Sequence, residues 1–125
     1  MKFKIIIFSG SRADFGLLKN VYLNLKKNRK ISTYLVLGSQ HYSKEFSKTY
    51  KEANKEKIKI NYSIKYKVKK TDREQVIFQI SDNLIKIQKV IKKINPDLCL
   101  ILGDRYEVYA FGLCCYINGI KIAHI

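Results

Sequence analysis

The chain has 125 residues, 46% of them hydrophobic and 12% aromatic, a composition that is typical of one folded domain and excludes a wholly disordered chain. Its formal net charge is +15, but the lysines are scattered along the whole sequence without a nucleic-acid-binding motif, so we expect no nucleic-acid partner. The sequence shows no signal peptide, no run of roughly 18 apolar residues and an odd count of three cysteines, so we expect a soluble cytoplasmic protein without disulfides or a membrane partner.

Hydrophobic periodicity predicts five strands that alternate with four helices. In chain order, the predicted elements are a strand at 3–8, a helix at 15–25, a strand at 31–38, a helix at 43–53, a short strand near 58–64, a long helix ending at 94, a strand at 97–102, a helix at 105–118 and a strand at 120–125. Thr71 and Glu74 have capping-box spacing at the start of the long helix, and Asn95-Pro96 ends it. This alternation predicts right-handed crossovers and a parallel, doubly wound sheet.

Polar and charged residues follow the predicted strand ends, which is where ligands bind in an open parallel sheet. These groups are Gly10-Ser11-Arg12-Ala13-Asp14 after the first strand, Gly38-Ser39-Gln40-His41 after the second, Gly103-Asp104-Arg105-Tyr106-Glu107 after the fourth, and His124 near the end of the fifth. An arginine at a helix start suits a phosphate, and carboxylates and histidines suit acid–base chemistry. Neither a dinucleotide fingerprint nor a P-loop is present in the sequence.

Each of these groups also has a purely structural interpretation. Ser11 and Asp14 fit the first positions of a helix, and Asp104 and Glu107 have the spacing of an N-cap and an N3 residue. His41 fits an ordinary surface histidine, and His124 fits a near-core histidine whose hydrogen bonds are satisfied within the protein. Their joint placement at strand ends favours a ligand site over these separate explanations.

The end of the sequence has two features that are unusual for a complete domain. The predicted fourth helix is apolar all round from Val108 to Ile117, which is unexpected for a surface helix. The chain also stops on an aliphatic strand residue, Ile125. Both features predict that a larger protein continues beyond this chain.

Three segments carry a resemblance to a known family. The segments "SGSRADFGLLKNV", "GSQHYSKEFSKTYKE" and "NPDLCLILGDRYEVYAFGLCCYINGIKIAHI" resemble the N-terminal half of the hydrolysing UDP-N-acetylglucosamine 2-epimerases of the sialic-acid and legionaminic-acid pathways. The resemblance implies an α/β fold with a Rossmann-like doubly wound parallel sheet, the N-terminal domain of a glycosyltransferase-B-type two-domain fold. Residues 1–125 would be that domain, truncated before the UDP-binding domain. Ala13 and Arg105, where non-hydrolysing relatives typically carry proline and threonine, favour the hydrolysing branch.

The resemblance also implies a reaction. The family is thought to eliminate UDP from UDP-N-acetylglucosamine to give a 2-acetamidoglucal, and then to add water to give N-acetylmannosamine. This scheme requires no metal and no redox cofactor, and its partner is a UDP-sugar, with a homo-oligomer expected for the full-length protein. Two alternatives are a hydrolysing epimerase that acts on UDP-N,N'-diacetylbacillosamine, and a non-catalytic module that binds a sugar nucleotide or a protein partner. We expect the 125 residues to be inactive alone.

Candidate roles follow from matching each motif position to the family. Asp104 would be an acid/base carboxylate beside the sugar, and Arg12 would hold the diphosphate. His41 matches a loop histidine of the family, although Gly38 lies one residue further from it than in the usual pattern. The implied catalytic residues are Asp104, His124 and Glu107, and the implied substrate-binding residues are Arg12, Asp14, His41, Arg105 and Ser11.

Overall fold

The structure is a computed structural model that describes residues 1–42, 49–65 and 72–125. Its strands are β1 (Phe3–Ser9), β2 (Ile31–Gly38), β3 (Tyr62–Ile64), β4 (Leu98–Ile101) and β5 (Lys121–His124). Its helices are α1 (Arg12–Lys27), α2 (Tyr50–Lys55), α3 (Arg73–Ile94) and α4 (Tyr106–Ile117), with a 3₁₀ turn at Ser39–Tyr42. No helix in the described part of the chain is long and apolar enough to cross a membrane.

The five strands form one parallel sheet in the order β3-β2-β1-β4-β5. Strand β1 is central and pairs with β2 from Phe3 to Ser9, and with β4 through Ile5 to Ile7. The order reverses direction between β1 and β4, because the chain moves outward to one side of β1 first and to the other side afterwards. This is the predicted doubly wound, Rossmann-like α/β fold.

Each face of the sheet has its own core. Ile5 and Ile7 of β1 pack with α1 residues such as Leu18 on one face. Ile6 and Phe8 point to the other face and pack with α3 and α4, and the Phe8 ring stacks on Phe111 at a centroid distance of 4.6 Å. A strand buried on both faces explains why β1 reads as a continuous apolar run rather than an alternating one.

Two predicted elements have different bounds in the described part of the chain. The helix predicted at 43–53 is observed as α2, Tyr50–Lys55, and residues 43–48 lie outside the described part of the chain. The strand predicted at 58–64 is reduced to Tyr62–Ile64, because the Ile58 N–H donates to Ala53 O and closes the end of α2. Asn61 then uses its side-chain oxygen to accept from the Leu35 N–H, at 2.8 Å, before strand pairing begins.

The N-cap of α3 differs from the predicted one by one residue. Asp72, rather than Thr71, is the N-cap, and its Oδ1 accepts a hydrogen bond of 2.8 Å from the Gln75 N–H. Thr71 itself lies outside the described residues. The helix ends at Ile94 as predicted, with Asn95 in the left-handed region at φ 49°.

We predict that Asp72→Ala lowers the free energy of unfolding by about 0.5–2 kcal/mol, because the Gln75 N–H loses its acceptor. Asp72→Asn keeps a side-chain oxygen at the same position and should cost much less. Urea unfolding followed by circular dichroism measures both changes. Equal losses for the two variants would show that the cap does not stabilise α3.

Candidate functional site

The strand order places a crevice between the carboxyl ends of β1 and β4. The chain leaves β1 for α1 on one face of the sheet and leaves β4 for α4 on the other face. Diverging connections of this kind open a ligand site in doubly wound folds. Residues 10–14 and 103–107 therefore lie next to each other at this edge, as the sequence predicted, and His124 ends the adjoining strand β5.

The loop after β1 presents the N-terminus of α1. Ser11 is the N-cap, and its Oγ accepts from the Asp14 N–H at 3.4 Å. Asp14 is 8% exposed, and its Oδ2 has no hydrogen-bond partner among the described residues. A Cβ at Gly10 would lie 3.3 Å from that oxygen, so the absence of a side chain at Gly10 leaves room for the carboxylate.

Arg12 is exposed at the same helix start, and its ion-pair partner lies on α2 rather than in its own helix. Arg12 Nε lies 2.9 Å from Glu52 Oε1, on α2. The pair ties the first turn of α1 to the helix that follows β2. It also leaves the guanidinium on the solvent side of the crevice. There an anion can replace the Glu52 carboxylate or bind the guanidinium together with it.

His41 is fully buried beneath the crevice, and both of its ring nitrogens contact protein side chains. Nε2 lies 2.9 Å from Ser9 Oγ, and Nδ1 lies 2.8 Å from Thr49 Oγ1. Because the Ser9 hydroxyl donates to Ser11 O, the hydrogen-bond pattern assigns the ring proton to Nε2, and Thr49 donates to Nδ1. His41 thus links the ends of β1 and β2 to the start of α2, and in this arrangement it has no nitrogen left for a substrate.

Burial lowers the pKa of His41 to about 4, and hydrogen bonding at Ser9 opposes that effect in part. The imidazole is therefore neutral at physiological pH. A neutral ring with one donor and one acceptor is what the arrangement of Ser9 and Thr49 requires.

The loop after β4 separates an exposed carboxylate from a buried one. Asp104 is exposed, whereas Glu107 is 2% exposed and its Oε2 lies 3.3 Å from Arg105 Nε. Arg105 is the N-cap of α4 and makes no side-chain cap bond, so the predicted Asp104 and Glu107 capping pair is wrong. The buried Glu107 is instead placed to hold the Arg105 guanidinium.

His124 contacts the same loop from the neighbouring strand. Its Nε2 donates to Gly103 O at 2.6 Å, which leaves Nδ1 with the lone pair in the neutral ring. Gly103 has φ 83°, a conformation that favours glycine, and its N–H donates to Ile125 O. The turn that exposes Asp104 is therefore fixed by β5.

Asp104 and His124 line a cavity of about 450 Å³ beside α4. Its other walls are mostly apolar and include Tyr109 and Tyr116 of α4 and Ile122 of β5. This volume lies in the range of small-molecule sites, which are mainly apolar with a few polar groups. A carboxylate and an imidazole at such a site can remove and return a proton.

Three contributors to the site were not predicted from the sequence. Ser9 directly follows an apolar run and looks like the start of an ordinary turn, and Thr49 and Glu52 lie in a polar segment that resembles any solvated surface. Their role depends on contacts between residues that are 32, 8 and 40 positions apart in the chain, which local patterns do not encode. Within the described residues, no group of histidine, cysteine and acidic side chains is arranged to hold a metal ion.

Comparison with known proteins gives a consistent set of similarities. A family model described as UDP-N-acetylglucosamine 2-epimerase matches residues 23–125. The GDP/UDP-N,N'-diacetylbacillosamine 2-epimerase (hydrolyzing) of Campylobacter jejuni is 31% identical over 99% of this chain and 32% of its own length. The UDP-N,N'-diacetylbacillosamine 2-epimerase (hydrolyzing) of Legionella pneumophila is 25% identical over 98% of this chain and 32% of its own length.

A solved structure shows the same architecture. The Methanocaldococcus jannaschii UDP-GlcNAc 2-epimerase, in complex with UDP-GlcNAc and UDP, superposes with a TM-score of 0.76 at 26% identity. The match covers 100% of this chain and 32% of that one. The chain thus spans about a third of the length of the relatives it matches.

We predict that His41 makes the stability of the fold depend on pH between about 6.5 and 4. The unfolded chain takes up the proton near its ordinary pKa of 6.5, whereas the folded chain resists protonation down to about 4. The stabilisation is therefore complete above pH 6.5 and is lost as the pH falls, by about 3 kcal/mol in total.

Urea unfolding across this pH range tests the effect by comparing His41→Gln with His124→Gln. His41→Gln should flatten the dependence in this window, and the exposed His124→Gln should retain it. The same slope for wild type and His41→Gln would contradict the assignment.

Proposed function

Because the chain belongs to the UDP-N-acetylglucosamine 2-epimerase family, we propose that it forms the sugar-side half of the active site of a hydrolysing UDP-sugar 2-epimerase. The observation that carries the proposal is that Arg12 after β1, Asp104 after β4 and His124 at the end of β5 lie at the carboxyl edge of one sheet, beside the point where the strand order reverses. The proposed reaction converts UDP-N-acetylglucosamine to N-acetylmannosamine and UDP. It would supply the biosynthesis of sialic-type sugar acids.

The reaction consists of an elimination and a hydration. A base takes the proton from C2 while the bond between C1 and the UDP oxygen breaks, and the electron pair forms the C1–C2 double bond of a 2-acetamidoglucal. Water then adds its hydroxyl to C1. C2 receives a proton on the face opposite to the one from which the first proton was removed, and this gives the 2-epimer. Neither step transfers electrons to another molecule, so the scheme requires no redox cofactor. It does require an acid/base group near C2 and cations near the departing diphosphate.

The geometry supports a distinct role for each candidate residue. Asp104 is exposed at the cavity and is assigned the proton transfer at C2, with His124 as its neighbour across the Gly103 turn. Arg12 is assigned to the diphosphate, which would compete with Glu52 for the guanidinium. Glu107 is too buried to reach a sugar, so it is assigned to position Arg105.

The hydrolysing branch is supported by two features. Ala13 and Arg105 occupy positions where the resemblance places proline and threonine in non-hydrolysing relatives. The Campylobacter jejuni and Legionella pneumophila relatives are both named as hydrolyzing enzymes.

UDP-N,N'-diacetylbacillosamine is the second candidate substrate. The names of the same two relatives favour it, since both refer to this diacetamido sugar. The two substrates share the 2-acetamido group and the diphosphate, so the roles of Asp104 and Arg12 would be unchanged. The activity is assigned to a whole protein of which these 125 residues supply the sugar side, and the 125 residues alone are proposed to be inactive.

A chimera tests this proposal, with residues 1–125 in place of the matching third of the Campylobacter jejuni relative. Given either UDP-sugar, it should release UDP together with the free 2-epimer, whereas the 125 residues alone should release no UDP. Asp104→Asn should lower kcat by about 100-fold or more, because the proton transfer at C2 loses its acid/base group.

Asp97→Asn is the matched control, since Asp97 precedes β4 at the opposite edge of the sheet and its exchange should leave kcat unchanged. A 2-epimer that keeps its UDP would contradict the hydrolysing assignment. An unchanged kcat for Asp104→Asn would contradict the role of Asp104.

A further inference from the structure

We propose that Gln79 of α3 is a positioning residue for the reaction, because it holds the turn that carries Asp104. This role rests on the proposed function, in which Asp104 moves the proton at C2. The Tyr106 hydroxyl donates a hydrogen bond of 3.0 Å to Gln79 Oε1. Tyr106 is the first residue of α4 and follows Asp104 by two positions, so a shift of this helix start would also move Asp104.

The direction of α3 places Gln79 at the same edge of the sheet as the crevice. The last residue of α3 is Ile94, whose carbonyl oxygen accepts a hydrogen bond of 3.0 Å from Lys4 Nζ, near the start of β1. The end of α3 thus lies at the amino edge of the sheet. Gln79 precedes Ile94 by about four helical turns, or about 22 Å, and therefore lies toward the carboxyl edge.

Gln79 is a polar residue on the buried face of α3, which is aliphatic from Ile87 to Ile94. It is 5% exposed, and its Nε2 has no hydrogen-bond partner among the described residues. A buried donor without a partner lowers stability, whereas leucine, which has a similar size, would bury no polar atom. Packing alone would therefore favour leucine at this position, and the bond to Tyr106 is the contact that requires an amide oxygen.

The turn that carries Asp104 is held from two sides. On the side of β5, His124 Nε2 donates to Gly103 O, and the Gly103 N–H donates to Ile125 O. On the side of α4, the N-cap residue Arg105 makes no side-chain cap bond, so the cap does not fix the first turn of the helix. Gln79 fixes that turn through Tyr106. The two anchors limit the movement of the Asp104 carboxylate, and proton transfer requires a defined position of this group.

A second pair of polar side chains joins the same two helices far from the turn. Gln88 Nε2 donates to Asn118 Oδ1 at 3.0 Å, and Asn118 Nδ2 donates to Gln88 Oε1 at 2.7 Å. Asn118 is the C-cap of α4, so the 12 residues of this helix, about 18 Å, separate the pair from Tyr106. Gln88→Leu removes a contact between α3 and α4 without touching the turn, and it is the matched control for Gln79→Leu.

Kinetics of the chimera with the Campylobacter jejuni relative test the role in the reaction. Gln79→Leu should lower kcat by about tenfold or more and leave KM nearly unchanged, because Asp104 is displaced while the contacts to the diphosphate remain. Tyr106→Phe should lower kcat by the same factor, and the double variant should lower it no further, because both substitutions remove one hydrogen bond. The double variant should keep the wild-type midpoint of urea unfolding, since both partners of the bond become apolar. Gln88→Leu should leave kcat unchanged.

NMR relaxation of the 125-residue chain tests the anchor without depending on the reaction. The amide order parameters of residues 104–106 should fall in Gln79→Leu and stay at the wild-type values in Gln88→Leu. Unchanged order parameters in Gln79→Leu would overturn the anchor, and equal losses of kcat in Gln79→Leu and Gln88→Leu would overturn the positioning role. An inactive wild-type chimera would contradict the proposed function instead, and the order parameters would still decide whether Gln79 holds the turn.

Discussion

The parallel pairing of β1 with both β2 and β4 is the constraint on which the site depends. It buries β1 on both faces, and it brings the ends of three strands to one edge. Because α1 and α4 leave that edge toward opposite faces, their N-termini flank the crevice rather than close it. Arg12 and Asp104 lie about 90 positions apart in the sequence, yet this single topological feature places them at the same edge.

Beneath the crevice, buried polar groups hold the exposed ones in position. The contacts of Ser9, His41 and Thr49 join the ends of β1 and β2 to α2, and the pair of Arg12 with Glu52 repeats this connection at the surface. On the other side, the buried Glu107 holds the guanidinium beside the exposed Asp104. The proposed roles of the residues therefore follow from their burial. The exposed groups are assigned to the substrate, and the buried groups hold the exposed ones in position.

The sequence predicted the fold well where periodicity was strong. The bounds of β2 and the end of α3 are as predicted, and the strand-end groups do meet at one edge. The predictions of helix caps and short elements were less accurate, because neighbouring polar residues such as Thr71 and Asp72 can each serve as the N-cap of the same helix. Burial was the main unpredictable quantity. Asp104 and Glu107 belong to one strand-end group, yet Asp104 is exposed and Glu107 is buried. The structural interpretation of the histidines took His41 as a surface residue and His124 as a near-core residue, and it is wrong, because contacts with Ser9 and Thr49 bury His41 whereas His124 is exposed.

The central claim is that the β1–β4 crevice receives the sugar nucleotide, and amide NMR of the 125-residue chain tests it most directly. On titration with UDP-N-acetylglucosamine, the amides of residues 10–14 and 103–107 should shift together and saturate, even if the affinity is only millimolar. Residues 28–30 and 95–97, at the opposite edge of the sheet, should not move. Shifts confined to that opposite edge, or no saturable shift up to about 10 mM, would contradict the account.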